Sequence, residues 1–310
     1  MEDNRSGTIT LDEIIAAAEN PDESIPMAEE EISRQLDAVA EKILSGGYKL
    51  ILLAVPTSSG KTTAAALLTQ RLQKMGKPCL DLSMDNFYLN RDMVPILPNG
   101  QVDIESIHAY DVPLINRLMA ELTMDHTVEM PVFDFYTQKR SDKTILIDPE
   151  PDTLIILEGI NALHPEIASN VDPETVCRLY ISVSTDIETD GKKLLSGQDI
   201  RFLRRMVRDY YTRGASPEKT LGMWAGVCEG ERLYIQPYKD TVNLQINTFH
   251  SYELSVLKSA CGPLLPKDST LQDDLLDRIG IAFNRIPELP PSLVPKTSLL
   301  AEFVGNMGSY

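Results

Sequence analysis

Five segments of the chain carry apolar runs of strand length: "YKLILLAV" at 48–55, "PCLDLS" at 78–83, "TLIILEGI" at 153–160, "RLYISVS" at 178–184 and "VNLQIN" at 242–247. Runs that stay apolar at successive positions, instead of alternating, predict strands covered on both faces, as in a central parallel sheet. Between the first two lies "TTAAALLTQRLQKMG", residues 62–76, whose apolar positions recur at helical spacing until Gly76 stops them, so the unit is strand, helix, strand. Ahead of it, residues 9–45 predict two helices, "TLDEIIAAAEN" and "MAEEEISRQLDAVAEKILSGG". The second is expected to start after Pro26, with acidic residues in its first turn, and to stop at Gly46-Gly47. The pattern implies an α/β fold, a doubly wound and mostly parallel sheet flanked by helices. The expected organisation is an N-terminal helical appendage over 1–47, a main domain over 48–285, and a proline-rich C-terminal tail over 286–310, extended and packed on the main domain.

Directly after the first strand stands "AVPTSSGKTT", residues 54–63. In the pattern G-x-x-x-x-G-K-[ST], backbone N–H groups cradle phosphates, the lysine reaches the terminal ones and the hydroxyl binds magnesium. Gly60, Lys61 and Thr62 fit, whereas Val55 stands at the first glycine. The strand before and the helix after supply the context that the chemistry requires, and a Ser/Thr-rich turn with a chance lysine is the bland alternative. Because Val55 precedes Pro56 it is biased toward extended backbone, where a β-branched residue is unstrained. Its methyl groups are expected to crowd the space that glycine leaves for a phosphate, and so to weaken binding. Thr57, Ser58, Ser59, Gly60, Lys61, Thr62 and Thr63 are the candidate phosphate contacts.

Phosphoryl transfer needs charge neutralisation, a metal, a base and geometry. Asp85 in "LSMDNFYLNRD" follows the second strand at the carboxyl edge of the sheet, where doubly wound folds bind ligands, and is the candidate base. Glu158 closes "TLIILE" in the position of an acid that holds magnesium or its waters, with Thr62 as a hydroxyl ligand. A lone carboxylate is more often a turn aspartate or a solvated strand end; beside Lys61 these two form a constellation. In "DIRFLRRMVRDYYTRG", residues 199–214, Arg201, Arg204, Arg205 and Arg208 fall within a helical arc of roughly 100°, opposite Phe202, Leu203, Met206, Val207 and Tyr210. With Arg213 they predict an arginine-rich helical lid over phosphates; the alternative is a solvated face paired with acids.

Net charge −17 over 310 residues disfavours nucleic acid and anionic membrane as partners and suits small substrates. Cys79, Cys177, Cys228 and Cys261 are widely spaced without a C-x-x-C pair, the N-terminus lacks an apolar leader core, and no apolar run is long enough to span a membrane, so a cytoplasmic protein with reduced thiols is expected. His108, His126, His164 and His250 do not cluster and receive no role; Met223, Trp224 and Tyr234 are read as core in preference to pocket.

"PTSSGKTT", "SMDNFYLNRD", "MPVFDFYTQKR", "IILEGINALHPE", "RFLRRMVRDYYTRG", "MWAGVCEGERLYIQPY" and "SYELSVLK", in that order over about 48–305, resemble the uridine kinase and phosphoribulokinase family of phosphate-loop kinases, most closely its bacterial uridine-kinase-like branch. The resemblance implies a P-loop NTPase-type fold and transfer of the γ-phosphoryl of ATP or GTP, with Mg2+, to the primary hydroxyl of a ribose-bearing alcohol acceptor. It implies catalytic roles for Asp85 and Lys61, magnesium-side roles for Thr62, Glu158 and Asp85, and phosphate binding by Arg205, Arg208 and Arg213. Asp103 matches the carboxylate on the ribose hydroxyls, and Tyr88 and Phe133 match pocket aromatics. The family includes dimers and tetramers, so a homo-oligomer is compatible. Authentic uridine-cytidine kinases carry a tyrosine and a histidine where this chain has Phe133 and Gln138, and an arginine and a glutamine where it has Ala215 and Met223. Phosphate handling is thus retained and acceptor recognition altered, with Gln138 available to a base edge. A kinase of another sugar or metabolite alcohol, and a nucleotide-binding regulator without transferase activity, are the alternatives.

Overall fold

The computed structural model describes residues 7–96, 102–265 and 274–305. It opens with strand β1 (Gly7–Thr10) and helices α1 (Leu11–Glu19) and α2 (Pro21–Ser45). Thr10 and Glu13 form a capping box on α1, the Glu13 carboxylate accepting from the Thr10 N–H at 2.7 Å. Helix α2 begins at Pro21 and not after Pro26. Proline at a first helical position is pre-organised, and Pro26 deletes a single bond on an exposed face while Ile25, Ala28, Ile32 and Leu36 keep their buried stripe across it.

Next come β2 (Leu50–Ala54), α3 (Lys61–Lys74), β3 (Cys79–Ser83), a 3₁₀ turn over Met84–Phe87, and α4 (Val112–Leu122). A projecting antiparallel hairpin, β4 (Val128–Asp134) with β5 (Lys139–Ile147), precedes β6 (Leu154–Glu158) and β7 (Val176–Ser182). Strands β8 (Thr185–Thr189) and β9 (Lys192–Leu195) lead into α5 (Gly197–Arg213) and α6 (Pro217–Tyr234). Strand β10 (Leu244–Asn247), α7 (Glu253–Cys261), α8 (Asp274–Arg285) and the short α9 (Ala301–Val304) complete it.

The central sheet runs β10-β7-β2-β6-β3 with every pairing parallel. Period-two alternation divides its strands between two cores. Leu50, Leu52, Ile155 and Leu157 pack against the α4 side, and Ile51, Leu53, Leu154 and Ile156 against α2 and α3. Coverage on both faces explains the unbroken apolar runs. A second sheet, β1-β8-β9, pairs the first described residues with Thr185–Glu188 in parallel, and with α1, α5, α7, α8 and α9 it encloses a third core. No helix among the described residues is long and apolar enough to cross a membrane, and the four cysteines are unpaired.

Register fixes the site. Glu158 lies opposite Leu53 of β2 and Ser83 of β3, so the loop after β2, the end of β6 and the turn bearing Asp85 lie side by side at the carboxyl edge.

Candidate active site

Residues 55–60 turn the chain from β2 into α3. Left-handed backbone falls on Ser58 (φ 59°) and on Gly60 (φ 86°), which caps the helix. Such turns gather successive N–H groups into an anion-binding concavity at the positive end of α3. Ser58 and Ser59 are buried, and neither hydroxyl has a hydrogen-bond partner among the described residues. Val55 is 2% exposed and packs with Leu53, Ala64 and Leu68 in the core beneath α2 and α3. The expected crowding of phosphate space is corrected accordingly: the side chain is core, and the left-handed turn has moved to Ser58 and Gly60.

Lys61, first residue of α3, pairs with Glu158 at 2.7 Å to Oε2 and 3.0 Å to Oε1. Asp85 is held in its turn by Ser83, whose hydroxyl accepts from the Asp85 N–H at 3.3 Å. Burial raises the Asp85 carboxyl above the usual carboxylate range; Lys61 opposes that rise and Glu158 adds to it. Lys61 and Glu158 therefore both act on the Asp85 carboxyl at the carboxyl edge of the sheet. Thr62 exposes its side chain at the second helical position, and Thr63 donates its hydroxyl to Glu302 Oε2 at 2.9 Å. Among the described residues no group of three or more His, Cys, Asp or Glu side chains is arranged to hold a metal. Mg2+ in phosphoryl-transfer sites takes one or two carboxylates beside waters and phosphates, and the carboxylates of Glu158 and Asp85 with the hydroxyl of Thr62 fit that demand.

The arginines of α5 behave differently from the expected phosphate-facing comb. Arg201 is bound bidentately by Glu231 at 2.5 Å and donates to the Thr57 carbonyl at 3.0 Å. Arg204 is fully buried, donating to Glu253 Oε2 (2.5 Å from Nη2) and the Thr248 carbonyl (2.7 Å), with Phe303 beneath it at 5.2 Å. Both are structural cations, withdrawn from any ligand, and this corrects the reading of one continuous guanidinium face. Arg205 donates to Thr57 Oγ1 at 3.1 Å, and its burial lowers its pKa, with Asp209 opposing. Asp209 collects Arg205 (3.2 Å), Arg208 (2.8 Å) and, more loosely, Arg213 (3.7 Å), leaving the last with most of its surface in solvent.

Directly after the turn bearing Asp85, Tyr88 stacks on Tyr110 at 4.4 Å and shares a 2.8 Å hydroxyl bond with it, and Phe133 tilts against Tyr88 at 5.5 Å. Burial drives the Tyr88 hydroxyl up to about 12. Asp103 accepts from the Tyr234 hydroxyl at 2.8 Å, and burial together with that bond pushes Tyr234 to about 12 as well. Glu105, reachable from solvent, has its pKa raised by lost hydration and by Glu231 and Asp103, while Arg205 opposes. Gln138 stands apart. It occupies the exposed hairpin turn in left-handed backbone (φ 56°), and its Oε1 accepts from Arg91 at 2.6 Å.

Sequence reasoning missed Glu105, Tyr110, Asp209, Glu231 and Glu302, and assigned Tyr234 to the core. Tyr234 left a trace as a polar-tipped aromatic in a helix of low amphipathicity, and Asp209 sits within four residues of Arg205, Arg208 and Arg213, a local spacing that could have found it; Tyr110, Glu231 and Glu302 pair across 22 or more residues of chain. Trp224 does join the core, tilted on Phe202 at 5.4 Å, and Met223 is exposed.

With that geometry in hand, a sequence profile of the phosphoribulokinase / uridine kinase family matches residues 50–255. A uridine kinase of Lactobacillus johnsonii is 32% identical over 191 residues, 61% of this chain and 82% of its own. A uridine kinase of Macrococcus caseolyticus is 29% identical over 198 residues, 64% of this chain and 86% of its own. A solved structure from Silicibacter sp. TM1040, provisionally a fructose transport system kinase, superposes with a TM-score of 0.47 at 19% identity, covering 68% of this chain and 97% of that one. The chain belongs to the phosphoribulokinase / uridine kinase family.

Proposed function

We propose that the protein transfers the γ-phosphoryl of ATP to a hydroxyl of an uncharged ribose-bearing acceptor, a nucleoside or a similar polyol. The observation that carries this reading is the meeting of Asp85 with Lys61 and Glu158 at the carboxyl edge of the sheet, between a phosphate loop and a tyrosine-lined cleft. Residues 57–63 hold the triphosphate through backbone N–H groups and Lys61, and Arg205, Arg208 and Arg213 close on it from α5. Thr62, Glu158 and Asp85 would hold a magnesium ion, which would supply charge neutralisation on the phosphates. Asp85 accepts the proton of the acceptor hydroxyl, and its raised pKa brings it nearer to the pH at which a base is effective.

Asp103 is the candidate partner of a ribose diol, presented by Tyr234, and Tyr88, Tyr110 and Phe133 form an apolar wall for the ring. Three carboxylates, Asp85, Asp103 and Glu105, border this cleft, which disfavours an acceptor already bearing phosphate. Gln138, engaged by Arg91 at the turn, is the weakest of the candidate acceptor contacts, and it favours a second reading in which the acceptor is a sugar or other polyol without a base.

The test is ATP consumption with magnesium across a panel of nucleosides, free sugars, sugar phosphates and other polyols. Turnover with a neutral ribose-bearing compound and none with sugar phosphates is expected. Turnover confined to phosphorylated acceptors, or ATP binding without turnover on any of them, would overturn the proposal.

A further inference from the structure

We propose that Glu302, carried by the C-terminal helix α9, is a resident anion of the nucleotide site: it occupies the phosphate-loop helix when no nucleotide is bound and must be turned out by an entering triphosphate. The proposal rests on the nucleotide-site reading above and concerns how that site is regulated. Thr63 is the third residue of α3, and its N–H is one of the donors a helix start leaves unsatisfied. Phosphate loops direct such donors at phosphate oxygens. Here Glu302 Oε2 takes both the Thr63 hydroxyl, at 2.9 Å, and the Thr63 N–H, at 3.4 Å, across 239 residues of chain.

The placement is built by the fold. Leu299, Leu300, Phe303 and Val304 on either side of Glu302 are each no more than 2% exposed, and Phe303 lies under Arg204. Leu299 approaches the loop itself: a Cβ added to Gly60 would meet its Cδ2 at 3.6 Å. Glu302 is only partly buried, so its side chain can rotate away while the segment stays docked. In the loop that precedes α3 the hydroxyls of Ser58 and Ser59, both buried, lack partners among the described residues, as expected of a cradle shaped for a guest rich in acceptors. A carboxylate and a phosphate oxygen cannot share one N–H and repel one another at that range. Glu302 therefore satisfies the helix start in the empty protein and weakens binding of every anion that competes for Thr63.

The test is calorimetric titration of the full chain with ATP and magnesium, comparing the parent with Glu302→Ala, Glu302→Gln and Lys61→Ala. Removing one charge-assisted contact from a helix N-terminus is expected to tighten ATP binding roughly threefold to tenfold in Glu302→Ala. Glu302→Gln, which keeps the volume and an acceptor oxygen, should move the same way by less, and it serves if the alanine variant folds poorly. The amide proton of Thr63, followed by NMR without nucleotide, should move upfield in Glu302→Ala. If both Glu302 variants bind ATP no tighter than the parent while Lys61→Ala loses binding, Glu302 is not a competitor and the proposal is overturned with the nucleotide site intact. If the parent and the Glu302 variants alike fail to bind, the phosphate-loop reading falls and takes this one with it.

Discussion

Removing the Glu253 carboxylate should unfold the protein at a markedly lower temperature, and the structure sets the size of the effect. Arg204 and Glu253 are both 0% exposed at the side chain. Glu253 Oε2 accepts from Nε at 3.0 Å and from Nη2 at 2.5 Å, and the remaining donors go to Thr248, to its hydroxyl at 3.3 Å and its carbonyl at 2.7 Å. Glu253→Ala leaves a guanidinium in the core with no counter-charge and no route to water. Breaking a buried pair from one side costs about 3–5 kcal/mol. At roughly 2–4 °C per kcal/mol for a domain of this size, the melting temperature should drop by on the order of 10 °C. The same truncation at Glu31, whose pair with Arg34 is largely exposed, should shift melting by about 2–4 °C at most, since surface pairs contribute under about 1 kcal/mol. Scanning calorimetry on the three proteins reads both values. Thr248 also donates its hydroxyl to the Ser59 carbonyl at 3.0 Å, so Glu253→Ala should loosen the phosphate loop and raise the Kd for ATP. Melting of Glu253→Ala within about 2 °C of the parent would refute the reasoning, because the buried cation would then have found a partner or water that the packing denies it.

Asp85→Asn should lower kcat by roughly two to four orders of magnitude with ATP affinity nearly intact, as expected of a general base; steady-state kinetics with calorimetric binding checks it. Because Asp85 must be ionised to accept a proton and its pKa is raised by burial, kcat/KM should rise with pH through a limb displaced above the ordinary carboxylate range, and should be lost as pH falls through it. A limb in the ordinary carboxylate range would detach Asp85 from that role. Val55→Gly, which restores the consensus glycine, should destabilise instead of improving the loop: it deletes a side chain 2% exposed, costing about 2–4 kcal/mol, readable by thermal or urea unfolding.

What could be read from the chain was what is local. The strand, loop and helix of 50–74 are contiguous, and Glu158 and Asp85 follow their strands within two residues, so parallel pairing alone brings them to Lys61. Helical periodicity rightly grouped Arg201, Arg204, Arg205 and Arg208 but could not say what the group meets. Glu231 and Glu253 arrive from 30 and 49 residues away, and they decide that two of these arginines are structural. Strand β1 escaped notice because "GTIT" has no pattern of its own; it exists by pairing with Thr185–Glu188. Pro26 misled the start of α2, since a proline early in a helix removes only one bond and a buried stripe continues past it. The proposed acceptor site was half visible: Tyr88, Asp103 and Phe133 were legible in the sequence, while Tyr110, Glu105 and Tyr234 join them through contacts that no spacing encodes.

The charge distribution of the whole chain bears on how such a site can work. A protein of net charge −17 repels a triphosphate at long range, and here several of the groups assigned to the phosphates already have an acidic partner. Lys61 is matched by Glu158, Thr63 by Glu302, and Arg205, Arg208 and Arg213 by the single carboxylate of Asp209. Under the proposed function, binding would be an exchange of carboxylate partners for phosphate oxygens at short range, not capture by an open positive field. That arrangement keeps the cations positioned and compensated while the site is empty, at the cost of the carboxylate contacts that an entering phosphate must replace. It also accounts for Val55: when affinity is set by which anion holds Lys61 and Thr63, the first position of the loop needs only to anchor the turn in the core, and a valine packed beneath α2 and α3 does that better than a glycine would.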